Sequence, residues 1–230
     1  MTALTIGLLV FPRVQQLDLT GPYEVFASIP GASVRLLWKE LDPIVSATGL
    51  ILIPDTRLAE APQLDVLCVP GGVGINALLE DEAVLAFLRR QSAGARYVTS
   101  VCTGALVLAA AGLLAGKRAT THWASHDFLA RLGAIPEQAR VVADGTFVSG
   151  GGVTAGIDMA LTILAELLGR ERAEAVQLNL EYAPEPPFSA GRPETAPPAV
   201  VAAVRARGQA SRAERERIVA RLETAGAARG

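Results

Sequence analysis

Cysteine and histidine are scarce: two of each in 230 residues. With no close cysteine pair and no carboxylate cluster at ligand spacing, no metal site is expected. Cys68 and Cys102 stand in such different settings that they do not form a disulfide framework, and a reducing compartment, the cytoplasm, is the expectation. Long apolar runs are missing too. The longest uncharged one, Gly104 to Gly116, has 13 residues before Lys117-Arg118, short of the roughly 18 to 20 that a membrane span needs. No basic segment precedes Leu4 to Val10 and no small-residue cleavage pattern follows it, so this stretch reads as a first strand and not a leader. Excess charge is also absent. A formal net charge of -2 generates no field that would recruit nucleic acid, and neither nucleic acid nor a membrane is expected as a partner.

What the chain does have is a large apolar fraction, 50%, and enough length for one domain with a substantial core. Strand-like runs at Leu4–Val10, Val34–Trp38, Leu64–Val69, Tyr97–Val101 and Val141–Val148 alternate with helical stretches at Pro22–Ser28, Glu82–Ser92, Thr103–Ala111, His126–Leu132 and Thr154–Leu168. Alternation of this kind predicts an α/β fold: a doubly wound, mostly parallel sheet with helices on both faces, flavodoxin-like in its layering. Pro43 to Thr56 reads as an appended hairpin. A short helix is expected over Glu171–Tyr182, then extended loop through the prolines from Pro184 to Pro198. The expected division is a single catalytic domain over 1–198 and a charged helical tail over 199–230. Leu, Ile and Val are too sparse in that tail for a core-facing helix along its whole length, and its last ten residues are expected to fray.

Ser100-Val101-Cys102-Thr103-Gly104 joins an apolar strand to an apolar helix, so Cys102 falls on the tight turn between them. Free N–H groups at a helix N-terminus favour negative charge and lower the pKa of a cysteine held there, which suits a nucleophile. Inert burial is the competing reading, and it is the better one for Cys68, inside the continuous apolar run Val66-Leu67-Cys68-Val69.

Ligands of open α/β sheets bind beyond the carboxyl ends of the strands. After the first strand comes Asp18, the only carboxylate before the expected helix, suited to acid–base work or to capping. After the third comes Pro70-Gly71-Gly72-Val73-Gly74, either an anion-stabilising nest or a plain turn. Ser149-Gly150-Gly151-Gly152-Val153-Thr154 opens the last core helix, where glycines serve close packing or simple flexibility. His122 is either a base for Cys102 or a structural histidine beside Trp123; His126 is expected on a helix surface.

Three of these motifs together, Val101-Cys102-Thr103-Gly104-Ala105, Pro70-Gly71-Gly72 and Gly151-Gly152-Val153-Thr154-Ala155-Gly156-Ile157-Asp158, resemble the ThiJ/PfpI superfamily of class I glutamine-amidotransferase-like folds. Leu17-Asp18-Leu19-Thr20-Gly21-Pro22-Tyr23-Glu24-Val25-Phe26 and Tyr182-Ala183-Pro184-Glu185-Pro186-Pro187-Phe188 are similar to the isonitrile hydratases within it. The resemblance implies cofactor-independent hydration of a small-molecule isonitrile to an N-substituted formamide. Cys102 is then the nucleophile, forming a thioimidate, and Asp18 the acid and base. Backbone N–H groups at Thr103 and Gly72 stabilise developing negative charge, and the backbone at Val153 holds the thiolate. Gly151, Gly152, Thr154 and Trp123 shape or position the pocket. Thr103 stands where protease-like and chaperone-like members commonly carry histidine, which argues against peptidase activity. The chain also ends too early for the paired helix-turn-helix of related transcription activators.

A neutral isonitrile calls for an apolar pocket, with Trp123 and Phe188 as candidate walls. A homodimer formed through the proline-rich loop or the last helix is expected. The same thiol equally suits a glyoxalase-like or deglycase-like enzyme, a redox or stress protein that oxidises at Cys102, or a ligand-binding regulatory domain without chemistry.

Overall fold

The computed structural model describes residues 4–227. Its strands are β1 (Thr5–Leu9), β2 (Ser33–Trp38), β3 (Ile44–Val45), β4 (Ile51–Leu52), β5 (Thr56–Arg57), β6 (Val66–Val69), β7 (Tyr97–Val101), β8 (Arg118–Ala119), β9 (Ile135–Pro136), β10 (Val141–Asp144) and β11 (Phe147–Gly150). Its helices are α1 (Gln16–Ala27), α2 (Ile75–Leu78), α3 (Glu82–Ser92), α4 (Gly104–Ala110), α5 (His126–Arg131), α6 (Ala155–Leu168), α7 (Arg170–Asn179) and α8 (Pro198–Ala227).

Seven strands form one sheet in the order β10-β11-β7-β6-β1-β2-β5, parallel throughout except for the antiparallel pair β10 and β11. Helices α1, α6 and α7 pack together on one side, whereas α2 to α5 and α8 pack together on the other. Every residue of β6 is buried, as a central strand covered on both faces requires. Strand order reverses between β1 and β6, so the chain diverges there and leaves a crevice at the carboxyl ends. Small residues let the layers close. A Cβ on Gly156 would lie 2.9 Å from Pro22 Cγ, and one on Gly21 would lie 3.1 Å from Ile157 Cγ1, so α1 and α6 meet where side chains would separate them.

Four details depart from the pattern read in the sequence. Val141–Val148 is no single strand: Gly145, at φ +63°, reverses the chain between β10 and β11. The first helix begins at Gln16 and carries Pro22 inside it, so Asp18 lies in its first turn and not in a preceding loop. The short helix after α6 runs over Arg170–Asn179. The last helix continues to Ala227, and within the stretch expected to fray Arg221 pairs with Glu80 and Glu223 with Arg131; residues 228–230 lie outside the described residues.

Gly104 is one of the two tightest points, with Gly74. A Cβ on Gly104 would stand 2.0 Å from the Val69 carbonyl oxygen, pushing α4 off the end of β6. Gly104→Ala is therefore expected to destabilise the protein by about 2 kcal/mol or more in chemical denaturation; an unchanged midpoint would contradict this packing.

Candidate active site

Cys102 holds the turn between β7 and α4 in a left-handed conformation, φ +54°, rare for a residue with a side chain. Its backbone is fixed on both sides. The Cys102 N–H donates to the Gly150 carbonyl at 2.9 Å, and the Thr121 hydroxyl donates to the Cys102 carbonyl at 2.7 Å. The end of β11 and the loop after β8 thus hold the elbow in a shape its own torsions oppose. Its side chain is 5% exposed.

Asp18 is brought to the same place by the first turn of α1 and is completely buried. Its Oδ2 accepts the Gly71 N–H at 2.9 Å, whereas Oδ1 is buried with no hydrogen-bond partner among the described residues. It caps no helix. Gly71 closes the site from the β6 side: a Cβ there would meet Thr103 N at 2.5 Å and Asp18 Oδ2 at 2.9 Å. Gly71 supplies the bond to the carboxyl, whereas the Gly72 N–H, expected to stabilise developing negative charge, donates to Thr103 Oγ1 at 3.1 Å.

Burial sets the protonation of this pair. Asp18 is pushed up to about 7, chiefly by burial, with the Gly71 N–H and the adjacent Cys102 thiol pulling it down. Cys102 is driven well above the ordinary thiol range by burial and then by the Asp18 charge; the Thr103 N–H lowers it without prevailing. The helix N-terminus expected to favour a thiolate is therefore outweighed by burial and the adjoining carboxyl. At neutral pH the two groups together hold at least one proton.

Cys102 opens onto a cavity of about 920 Å³ also lined by Gly72, Val73, Thr103, His122, Trp123 and Val153; Asp18 does not line it. Gly151, Gly152 and Thr154 do not line it either. They hold its edge: Gly151 N–H donates to the Arg140 carbonyl at 2.9 Å, and the Arg140 guanidinium donates to the Thr154 carbonyl at 3.2 Å, to Asp158 and to the Tyr182 hydroxyl. His122 accepts the Ala124 N–H through Nδ1 at 3.3 Å, and burial keeps its pKa low. Its ring lies 5.5 Å from that of Trp123, the structural arrangement, with no bond to Cys102. His126 is half-buried, its Nε2 3.2 Å from Thr120 Oγ1. Cys68 is fully buried and raised to about 12 by that burial, as an inert core thiol should be.

One expectation fails here: Phe188 is 79% exposed and walls nothing. The cavity surface is mostly apolar, as expected, but one wall is α8, which contributes Val204 to Gln209, Ser211, Arg212 and Arg215. Sequence reasoning missed these residues. The signal was a helical stripe in the tail, Ser211, Arg215, Ile218, Val219 and Leu222, all wholly or partly buried, in which an arginine occupies a core position.

Residues 5–166 match the DJ-1/PfpI family. The chain is 62% identical over 209 residues to the isonitrile hydratase of Pseudomonas putida, covering 91% of this chain and 92% of that protein. It is 32% identical over 132 residues to the protein dj-1beta of Drosophila melanogaster, covering 56% of this chain and 71% of that one. The crystal structure of a ThiJ/PfpI family protein from Pseudomonas syringae superposes with a TM-score of 0.92 at 42% identity, over 95% of this chain and 91% of that one.

A carboxyl raised to about 7 favours folding when protonated, a contribution fully present below the unfolded value of 3.8 and lost as pH rises through about 7. Asp18→Asn removes this dependence. Between pH 5 and pH 8 its stability should gain about 2 to 3 kcal/mol relative to the wild type, read from urea midpoints; a gap that does not change with pH would show that the carboxyl is not raised.

Proposed function

The chain belongs to the DJ-1/PfpI family, and on that premise we propose that it is an isonitrile hydratase, adding water to R–N≡C to give R–NH–CHO. The observation that carries this reading is the buried Cys102–Asp18 pair holding a proton beside the cavity. An isonitrile carbon has both a lone pair and electrophilic character, so it must receive a nucleophile and a proton on one atom. A thiol beside a carboxyl that titrates near neutrality offers both.

In the first step the sulfur bonds to the terminal carbon while its proton passes to Asp18 and on to the same carbon, giving the thioimidate R–N=CH–S. In the second, Asp18 takes a proton from water as the water oxygen bonds to that carbon. Asp18 passes that proton to the nitrogen, the C–S bond breaks as the second proton of the water goes from the hydroxyl to the sulfur, and the formamide leaves. Only water is consumed. The Thr103 N–H, which already favours charge on the sulfur, stabilises it during C–S cleavage. Gly72 keeps its N–H on the Thr103 hydroxyl and so orients Thr103, and Val153 lines the same cavity as Cys102.

The catalytic domain spans 1–198, with 199–230 as a charged tail whose described residues form α8 and wall the cavity. The enzyme acts in the cytoplasm as a homodimer; exposed Phe188 in the proline-rich loop and exposed Val200 and Val204 on α8 support a mating surface there. No helix among the described residues is long and apolar enough to cross a membrane.

Cyclohexyl isocyanide incubated with the purified protein is expected to yield the formamide. Cys102→Ala should reduce turnover to background, and Asp18→Asn should lower it by about 100-fold or more. Steady-state turnover retained in Cys102→Ala would end the covalent scheme, and conversion of methylglyoxal in place of the isonitrile would favour the aldehyde reading. Light scattering should give twice the chain mass; a monomer would refute the dimer.

A further inference from the structure

The α8 wall of the cavity carries more positive charge than a neutral substrate needs. Arg215 is the centre of this excess. It is 6% exposed and lines the cavity, yet among the described residues it forms no ion pair. Its Nε donates to Asn76 Oδ1 at 3.0 Å and its Nη1 to Ser125 Oγ at 2.9 Å, both neutral acceptors. The acid next to it in sequence, Glu214, is engaged elsewhere, its Oε2 accepting the Asn76 amide at 2.8 Å. Asn76 thus fixes the guanidinium on one side and the carboxylate on the other, and keeps the two apart.

The surrounding charges do not cancel it. Asp127 is the one carboxylate lining the cavity, and both its oxygens are occupied by Arg212, at 3.0 and 2.6 Å. Arg205 lies over the Trp123 ring, its guanidinium carbon 5.5 Å from the centroid, and Arg207 adds another cation. Four arginines line the cavity against Asp127, with Glu214 behind Asn76, and this leaves a net positive wall. A buried guanidinium held in place by neutral groups is poised for an anion that arrives from outside. Its charge also reaches His122 and helps to keep that ring neutral, and it interacts with Cys102 across the cavity that both line.

We propose that this wall is an anion subsite, in which Arg215 receives a carboxylate carried by the substrate, so that the preferred substrates are isonitriles with a carboxylate on the group attached to nitrogen. This refines the hydratase reading and rests on it for the word isonitrile, but the subsite itself can be tested without turnover.

Calorimetric titration of the wild-type protein with cyclohexanecarboxylate and with the neutral cyclohexanecarboxamide reads the subsite directly. The carboxylate is expected to bind at least about tenfold more tightly, with a preference that weakens as salt is added. Arg215→Gln should bring the two ligands to within about threefold of each other. Equal binding of the pair, or binding of neither, overturns the proposal, and the wild-type comparison decides this even if Arg215→Gln does not fold. Turnover then separates the two ideas. Hydration of cyclohexyl isocyanide without carboxylate preference leaves a hydratase with no subsite, whereas carboxylate-selective binding without hydration of any isonitrile leaves a subsite and removes the hydratase.

Discussion

Two acids buried against each other cannot both give up their protons cheaply, and this constraint organises the site. Cys102 and Asp18 come from elements 84 positions apart in the chain, and the Asp18 charge raises the cost of ionising the thiol, whereas the thiol eases ionisation of the carboxyl by hydrogen bonding to it. Burial raises both, so the resting pair keeps a proton that neither water nor a distant base supplies. Addition to an isonitrile carbon needs a bond to sulfur and a bond to hydrogen on one atom, and the pair contains both. Access from one side only, through the thiol, keeps the carboxyl away from bulk solvent.

The fold places these groups by ending its strands together. The first turn of α1, the loop after β6, the turn after β7 and the last residue of β11 supply Asp18, Gly71, Cys102 and Gly150, and each bonds to or abuts another. Close backbone approach at Gly71 and Gly104 leaves no room for side chains, so the elbow cannot relax outward. The positive φ of Cys102 is held by hydrogen bonds worth about as much as it costs, roughly 1 to 3 kcal/mol. On the open side α8 is fastened by Arg131 to Glu216 and Glu223, by Arg212 to Asp127 and by Arg221 to Glu80. These are exposed pairs and each contributes little. The buried stripe of Ile218, Val219 and the Arg215 network fixes its register more firmly.

Much of the layering was legible in the sequence because its signals are local. The continuous apolar run at Val66–Val69 announces a central parallel strand, and the small residues around Cys102 announce a tight turn. The carboxyl was legible as a residue but not as an environment. Pro22 read as a helix start, which put Asp18 in a loop, and packing of α1 on α6 overrode that signal. Gly145 after Asp144 is a hairpin signal that the apolar run across Val141–Val148 concealed. Neither the protonation of the pair nor the arginine wall follows from local pattern. The first depends on how completely two loops bury a carboxyl, and the second on where a charged helix lands after a long proline-rich connection.

The most direct test is the ionisation of the sulfur. Thiolate absorbance near 240 nm, taken as the difference between the wild-type protein and Cys102→Ala across a pH titration, isolates this residue, since Cys68 titrates only near 12. The account predicts no Cys102 thiolate at pH 7 and its appearance only well above the ordinary thiol range, shifted to lower pH in Asp18→Asn. A full thiolate signal at pH 7 would contradict it, because the proton required for addition would then have to come from Asp18 or water and not from the sulfur.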